Sequence, residues 1–248
     1  MRVGLFSTCL AESFAPRALI ATVKILERLG HTVEFPSEQT CCGQPMFNNG
    51  HPREAAALAR RMLTIFAGYE AVVTPSASCA GMVRTHFVPL FTAGSPDALR
   101  AAELGKRTFE LVEFLVRHER VDLKALGARW TGKIAHHYSC HSRLLGMTEE
   151  ASALLAQVEG VETVPLSKRE QCCGFGGTFA LRYPRISAQM VGEKVACISD
   201  CGAQTVVCSD AGCLLNLEGG ASRAGVPVTF LSAAEIVAEA LGLLERER

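Results

Sequence analysis

Cys172-Cys173-Gly174-Phe175-Gly176-Gly177 opens with three residues that already occurred once, at Cys41-Cys42-Gly43. Working outward from the two copies, Cys9 stands 32 positions before Cys41 and Cys140 stands 32 before Cys172. One more cysteine follows each pair, Cys79 at 37 positions after Cys42 and Cys213 at 40 after Cys173. Each half of the chain therefore carries C…CCG…C, and an internal repeat of this kind constrains the architecture before any single element does. Cys197, Cys201 and Cys208 fall outside the scheme and read as small buried residues.

The segments between the cysteines alternate in character. Val3–Ser7 is a short apolar run, Pro16–Leu29 has helical spacing that ends at Gly30, and Thr32–Phe35 is β-prone before Pro36. A helical stretch from Arg53 to Ala67 and a strand over Ala71–Thr74 complete a βαβαβ order, which predicts a parallel sheet. Asp97–Arg120 reads as helical, and Leu123–Thr131 as a joint. Beyond it Lys133–Tyr138, Val161–Leu166, Thr205–Ser209 and Val228–Ser232 read as strands, with helices over Arg143–Gln157, Arg185–Ile198 and Ala233–Glu245. The expected fold is α/β, with two related lobes, residues 1–127 and 128–248, built from parallel βαβ units.

In each half the first cysteine follows strand one, the vicinal pair follows strand two and the last follows strand three. Carboxyl ends of neighbouring parallel strands face one crevice, where such folds place ligands. Two candidate sites result, one from Cys9, Cys41, Cys42 and Cys79, the other from Cys140, Cys172, Cys173 and Cys213. Soft thiolates select zinc or iron–sulfur over Mg²⁺ or Ca²⁺. Adjacent side chains on an extended strand face opposite ways, so joint ligation by a vicinal pair needs the kink that Gly43 or Gly174 permits. Three readings remain: iron–sulfur clusters, a non-catalytic zinc-thiolate scaffold, and thiol–disulfide exchange through the vicinal pairs. The short C-x₂-C knuckles usual in structural zinc sites are absent.

His136, His137 and His141 flank Cys140, and strand alternation puts His136 and His137 on opposite faces, so a core or loop role is expected for them. Phe179 stands where a dinucleotide loop would need its third glycine, which removes a nicotinamide site. No flavin fingerprint, nucleophile elbow, Walker loop or H-E-x-x-H appears, and no catalytic residue is assigned.

Composition excludes other classes. With 25 Lys+Arg against 25 Asp+Glu and no basic cluster, the chain lacks the electrostatic footprint of nucleic-acid or anionic-membrane binding. Every long apolar stretch is interrupted by a charge or proline, so no membrane span is expected. The start, broken by Ser7, Thr8 and Glu12, does not read as a signal peptide, and a cytoplasmic protein is expected. Reduced thiols in that compartment point the 11 cysteines to metal or redox use rather than a disulfide framework.

LFSTC at Leu5–Cys9, EQTCCGQP at Glu38–Pro45, PSASC at Pro75–Cys79, QCCGFGGTFA at Gln171–Ala180 and SDAGCLLN at Ser209–Asn216 resemble the signatures of a known family. It is the cysteine-rich, or CCG-domain, iron–sulfur family, which includes the B subunit of heterodisulfide reductase, the iron–sulfur subunit of glycolate oxidase and the lactate-utilization proteins. The resemblance covers nearly the whole chain. It implies a subunit of a three-protein complex oxidising L-lactate to pyruvate, with a second iron–sulfur subunit and a third small subunit as partners. It also implies up to two iron–sulfur clusters per chain, relaying electrons. In heterodisulfide reductase-type domains the last element is C-x-x-C, whereas Ser76 and Asp210 stand three residues before Cys79 and Cys213 here. Four thiols per half match 4Fe-4S ligation rather than a five-thiolate cluster. Asp210 is expected to cap the following helix.

Overall fold

Ala71–Thr74 and Thr205–Cys208 are continuous apolar runs buried along their whole length. A strand apolar on both faces must be covered on both faces, which is the condition of an interior strand in a parallel sheet. The computed structural model describes residues 1–246 and places each run inside a four-stranded parallel sheet. The first sheet comprises β1 (Arg2–Leu5), β2 (Thr32–Glu34), β3 (Ala71–Thr74) and β4 (Thr108–Glu110), in the order β2-β1-β3-β4. The second comprises β5 (Arg129–His136), β6 (Glu159–Thr163), β7 (Thr205–Cys208) and β8 (Thr229–Ser232), in the order β6-β5-β7-β8. The lobes are similar, and the fold is α/β as the repeat predicts. Residues 247–248 of the second expected lobe lie outside the described residues.

Helices of the first lobe are α1 (Cys9–Phe14), α2 (Pro16–Arg28), α3 (Gln44–Asn48), α4 (Pro52–Ile65), α5 (Ala77–Gly81), α6 (Pro96–Lys106) and α7 (Leu111–Glu113). Those of the second are α8 (Cys140–Leu144), α9 (Glu150–Leu155), α10 (Thr178–Arg182), α11 (Pro184–Cys201), α12 (Ala211–Ala224) and α13 (Ala233–Ala240). Pro16, Pro52, Pro96 and Pro184 each sit at a helix start, where the missing N–H is no loss.

One apolar core is shared between the lobes. Val3, Ile25, Leu26 and Val73 of the first pack in a single cluster with Trp130, Ile134, Val207, Ile236 and Val237 of the second. Leu26 is wholly buried there, and its truncation to alanine costs about 2–5 kcal/mol. Arg17 of α2 reaches α13 at Glu239 (2.7 Å), whose other oxygen accepts from Trp130 Nε1 (2.9 Å). Each sheet has a second core on its outer side, around Met62 and Phe66 in one lobe and Val195 and Leu217 in the other.

Four expectations need correction. The stretch Asp97–Arg120 is not wholly helical, because Thr108–Glu110 leaves α6 to pair with β3. The segment read as a joint ends inside β5, whose early residues Trp130 and Gly132 already belong to the strand. Arg143–Gln157 is two short helices, broken around Gly146. The strand read over Val161–Leu166 begins two residues earlier and ends three earlier, at Glu159–Thr163. None of the described helices is long and apolar enough to cross a membrane.

Candidate metal centres at the strand ends

In the first lobe β1 stops at Leu5, and Thr8 Oγ1 accepts the Ala11 N–H (3.3 Å), so that Cys9 becomes the first residue of α1. Gln39 ties the vicinal-pair loop to this turn, accepting from Ser7 N (2.8 Å) and donating to Leu5 O (3.1 Å). Cys41 and Cys42 follow after Thr40, and Gly43 turns the chain into α3 at φ +85°. Cys79 lies in the first turn of α5, its N–H donating to Ser76 Oγ (3.4 Å). The sulfurs approach in pairs, Cys9 with Cys41 at 3.8 Å and Cys42 with Cys79 at 3.5 Å.

The second lobe repeats this plan. Ser139 caps α8 through the Ser142 N–H (3.1 Å), placing Cys140 first in that helix. Cys172 Sγ accepts the Gly174 N–H (3.4 Å), Gly174 has φ +82°, and Cys173 Sγ lies 3.0 Å from Cys213 Sγ in the first turn of α12. Asn216 donates to Cys173 O (2.8 Å), and Ser187 donates to Gly174 O (2.9 Å). Lys194 of α11, wholly buried, donates to Lys168 O (2.8 Å) and Arg169 O (3.3 Å) and so holds the loop from behind.

Grouped thiols cannot all ionise without a cation among them. Hydrogen bonds from Cys42 and Cys9 hold Cys41 down to about 3, while the bond to Cys41 and burial push Cys9 up. In the second lobe bonds from Cys140 and Cys173 hold Cys172 down to about 2, and the same contact with burial pushes Cys140 up. Cys42, Cys173 and Cys213 are raised too, first by sulfur neighbours and then by burial. Each lobe thus favours the thiolate at the first cysteine of its vicinal pair, Cys41 or Cys172, over those of the cysteines bonded to it. A bound metal that supplies positive charge would deprotonate the rest. All eleven cysteines are free.

Both sets lie near the seam between the lobes. Gln44 Nε2 is 3.0 Å from His141 Nε2, and Asn49 bonds Thr178 (2.8 Å) and Arg182 (2.9 Å). Asp210 stands at the N-cap position of α12 but makes no cap bond. Its Oδ1 instead accepts from Ser76 Oγ (3.1 Å) and Ser78 N (3.0 Å) of the other lobe, which overturns the capping role read for it. Cys197 and Cys201 lie in α11. Cys208, set aside with them, stands beside Cys213 and His137, each contributing one donor atom within 4.8 Å of the others. Overlaying the two halves carries the signal for this. Leu5 pairs with Val73 as His136 pairs with Val207, so His137 answers to Phe6 and Cys208 to Thr74.

The cysteine-rich domain named CCG matches residues 3–84 and 134–218, the two stretches that carry the repeated cysteines. The chain belongs to the CCG cysteine-rich domain family. Among curated members, lactate utilization protein A of Macrococcus caseolyticus is 44% identical over 96% of this chain and 96% of its own length. The protein of the same name from Geobacillus kaustophilus is 43% identical over 96% of this chain and 98% of its own. Among solved structures, a glutamate racemase from Bacillus anthracis, 15% identical, covers 98% of this chain and 80% of its own, at a TM-score of 0.39. That likeness is too loose to bear on the site.

The donor chemistry of this CCG chain fits a thiophilic group. Cys42, Cys79, Cys173 and Cys213 are buried, whereas Cys9 and Cys140 are exposed. A group held by four such sulfurs is shielded behind and open in front, with thiolate ligands soft enough for iron–sulfur or zinc.

Proposed function

We propose that the chain is the iron–sulfur subunit of a cytoplasmic L-lactate-oxidising complex. Cys9, Cys41, Cys42 and Cys79 hold one 4Fe-4S cluster, and Cys140, Cys172, Cys173 and Cys213 hold another. The observation that carries this reading is the repeated placement of four cysteines at the strand ends of each lobe, with sulfurs paired at 3.8 and 3.5 Å in the first and at 3.0 Å in the second. The relatives' name supports lactate as the fuel. Bound clusters supply one-electron transfer. The chain's own residues anchor and shelter them: the buried cysteines exclude water, and the Gly174 N–H donates to a ligand sulfur. Exposed Cys9 and Cys140 mark the sides from which a second iron–sulfur subunit and a third small subunit exchange electrons. No residue here is assigned to take hydride or proton from lactate, which leaves that step to a partner.

Protein purified without oxygen should contain about eight iron and about eight acid-labile sulfide per chain, with paramagnetic signals that change on dithionite addition. Cys42→Ser and Cys173→Ser should each remove about half of the iron. Zinc without sulfide would overturn the reading in favour of a thiolate scaffold.

A further inference from the structure

Asp210 belongs to the second lobe, yet the first lobe holds its side chain. Its Oδ1 accepts from Ser76 Oγ (3.1 Å) and from the Ser78 N–H (3.0 Å), and beside it the Ala77 N–H donates to Ser209 O (3.3 Å). This clasp joins the two sets of cysteines. Ser78 is bonded to Cys79, whose own N–H donates to Ser76 Oγ (3.4 Å), while Asp210 stands three residues before Cys213 at the start of α12. Cys140 of the second set lies near enough to feel its charge. The residue is 4% exposed, its Oδ2 is buried without a hydrogen-bond partner, and it forms no ion pair among the described residues. A charge buried with so little compensation costs the fold stability, and salt screens it weakly.

We propose that Asp210 is a tuning residue shared by the two metal centres, a carboxylate that ligates neither but holds down the reduction potential of both. The role rests on the iron–sulfur reading above and deepens it. A thiolate-bound cluster that takes up one electron gains one negative charge, and a fixed carboxylate nearby opposes that gain. Placed at the seam, Asp210 opposes it on both sides, whereas a charge inside one lobe acts mainly on that lobe's cluster. Ser76 is the matching residue of the first lobe, three before its last cysteine, and it is neutral. It spends its hydroxyl on Asp210, so one carboxylate serves two sites and makes their potentials rise or fall together.

Asp210→Asn tests this in the full chain purified without oxygen, because the amide oxygen can still accept from Ser76 and Ser78 while the charge is gone. Iron and sulfide per chain should match those of the parent protein. In a potentiometric paramagnetic resonance titration, the reduced-to-oxidised ratio of both signals at one fixed potential should rise about tenfold, a shift of about 59 mV for a one-electron couple. Ser76→Ala, which weakens the clasp and keeps the charge, should raise neither. Unmoved signals in Asp210→Asn would overturn the role, as would a rise in one signal only. An equal rise in Ser76→Ala would overturn it by making the shift a product of a loosened seam, and loss of iron from Asp210→Asn by making the carboxylate a ligand or a requirement of the fold. Failure of the cluster reading looks different: the parent protein itself would then lack iron and sulfide, and this role would fall with it.

Discussion

Where the first lobe closes its strand ends with Phe6, Thr74 and Met62, the second uses His137, Cys208 and Lys194. The backbone is the same on both sides, with each cysteine at the same strand end and each vicinal pair followed by a glycine at φ above +80°. A mostly apolar backing leaves the first site's electrostatics to its cysteines, its helix ends and the Asp210 carboxylate that Ser76 and the Ser78 N–H hold beside it. A backing with an imidazole, a further thiol and a buried ammonium supplies extra donors and a fixed charge. Repeating a fold thus duplicated the thiol framework while the residues behind it separated, and the two sites should be unequal in what they hold and how readily they take electrons.

The largest difference to probe lies at the outer strand of each sheet. Glu110 ends β4 opposite Thr74, and Ser232 ends β8 opposite Cys208. Both cap the next helix, Glu110 through the Glu113 N–H (3.1 Å) and Ser232 through the Glu235 N–H (3.1 Å). The Ser232 hydroxyl does not titrate, and the Glu235 carboxyl that closes this capping box by accepting the Ser232 N–H (2.8 Å) is raised by burial less sharply than Glu110. Burial pushes the Glu110 carboxyl up to about 8 from 4.5, so it stays protonated in the folded chain at neutral pH. Because the folded state then binds the extra proton, stability should fall as pH rises from about 4.5 to about 8, by on the order of 4 kcal/mol, and level off above. Glu110→Gln should flatten that slope in urea unfolding followed at several pH values. An unchanged slope would mean that Glu110 ionises freely and the caps are equivalent.

Gly43 and Gly174 sharpen the comparison next. Both need positive φ, and alanine there carries about 1–2 kcal/mol of strain. A Cβ on Gly43 would meet Ala55 at 3.4 Å, an ordinary contact. On Gly174 it would lie 2.9 Å from Ser187 O and 3.0 Å from Met190 Cβ, adding about 1–3 kcal/mol of overlap. Gly174→Ala should therefore lower the unfolding midpoint more than Gly43→Ala. Equal losses would show that α11 yields as easily as α4.

The repeat made the two-lobed α/β plan legible from sequence, since equal cysteine spacings and apolar runs such as Ala71–Thr74 and Thr205–Cys208 locate matching strands. β4 escaped because Thr108–Glu110 is three residues long and follows α6 immediately, too short for any period to register. Its counterpart β8 stood out beside Pro227. Asp210 misled for a different reason: a carboxylate at a helix start usually caps, but here the other lobe offers Ser76 and the Ser78 N–H. His137, Cys208 and Lys194 carry no repeated spacing. Only the alignment of one half on the other exposes them, as polar residues where the sister lobe is apolar or carries a hydroxyl.

The smallest expected effect concerns the buried ammonium. Lys194 raises the positive charge near Cys172, Cys173 and Cys208, whereas Met62 brings none to the first lobe. A fixed positive charge stabilises the more negative, reduced form of a thiolate-bound cluster and raises its reduction potential. On the cluster reading the second lobe should therefore be the easier to reduce. Lys194→Met, which installs the first lobe's residue, should lower the potential of one signal by about 50 mV in a potentiometric paramagnetic resonance titration and leave the other in place. Cys173→Ser should remove the signal that moved, tying it to the second lobe. Equal shifts in both signals would instead report a general loosening of the fold. No shift would mean that the carbonyls of Lys168 and Arg169 already spend the ammonium's field, making Lys194 a clamp on the vicinal-pair loop and not a source of asymmetry.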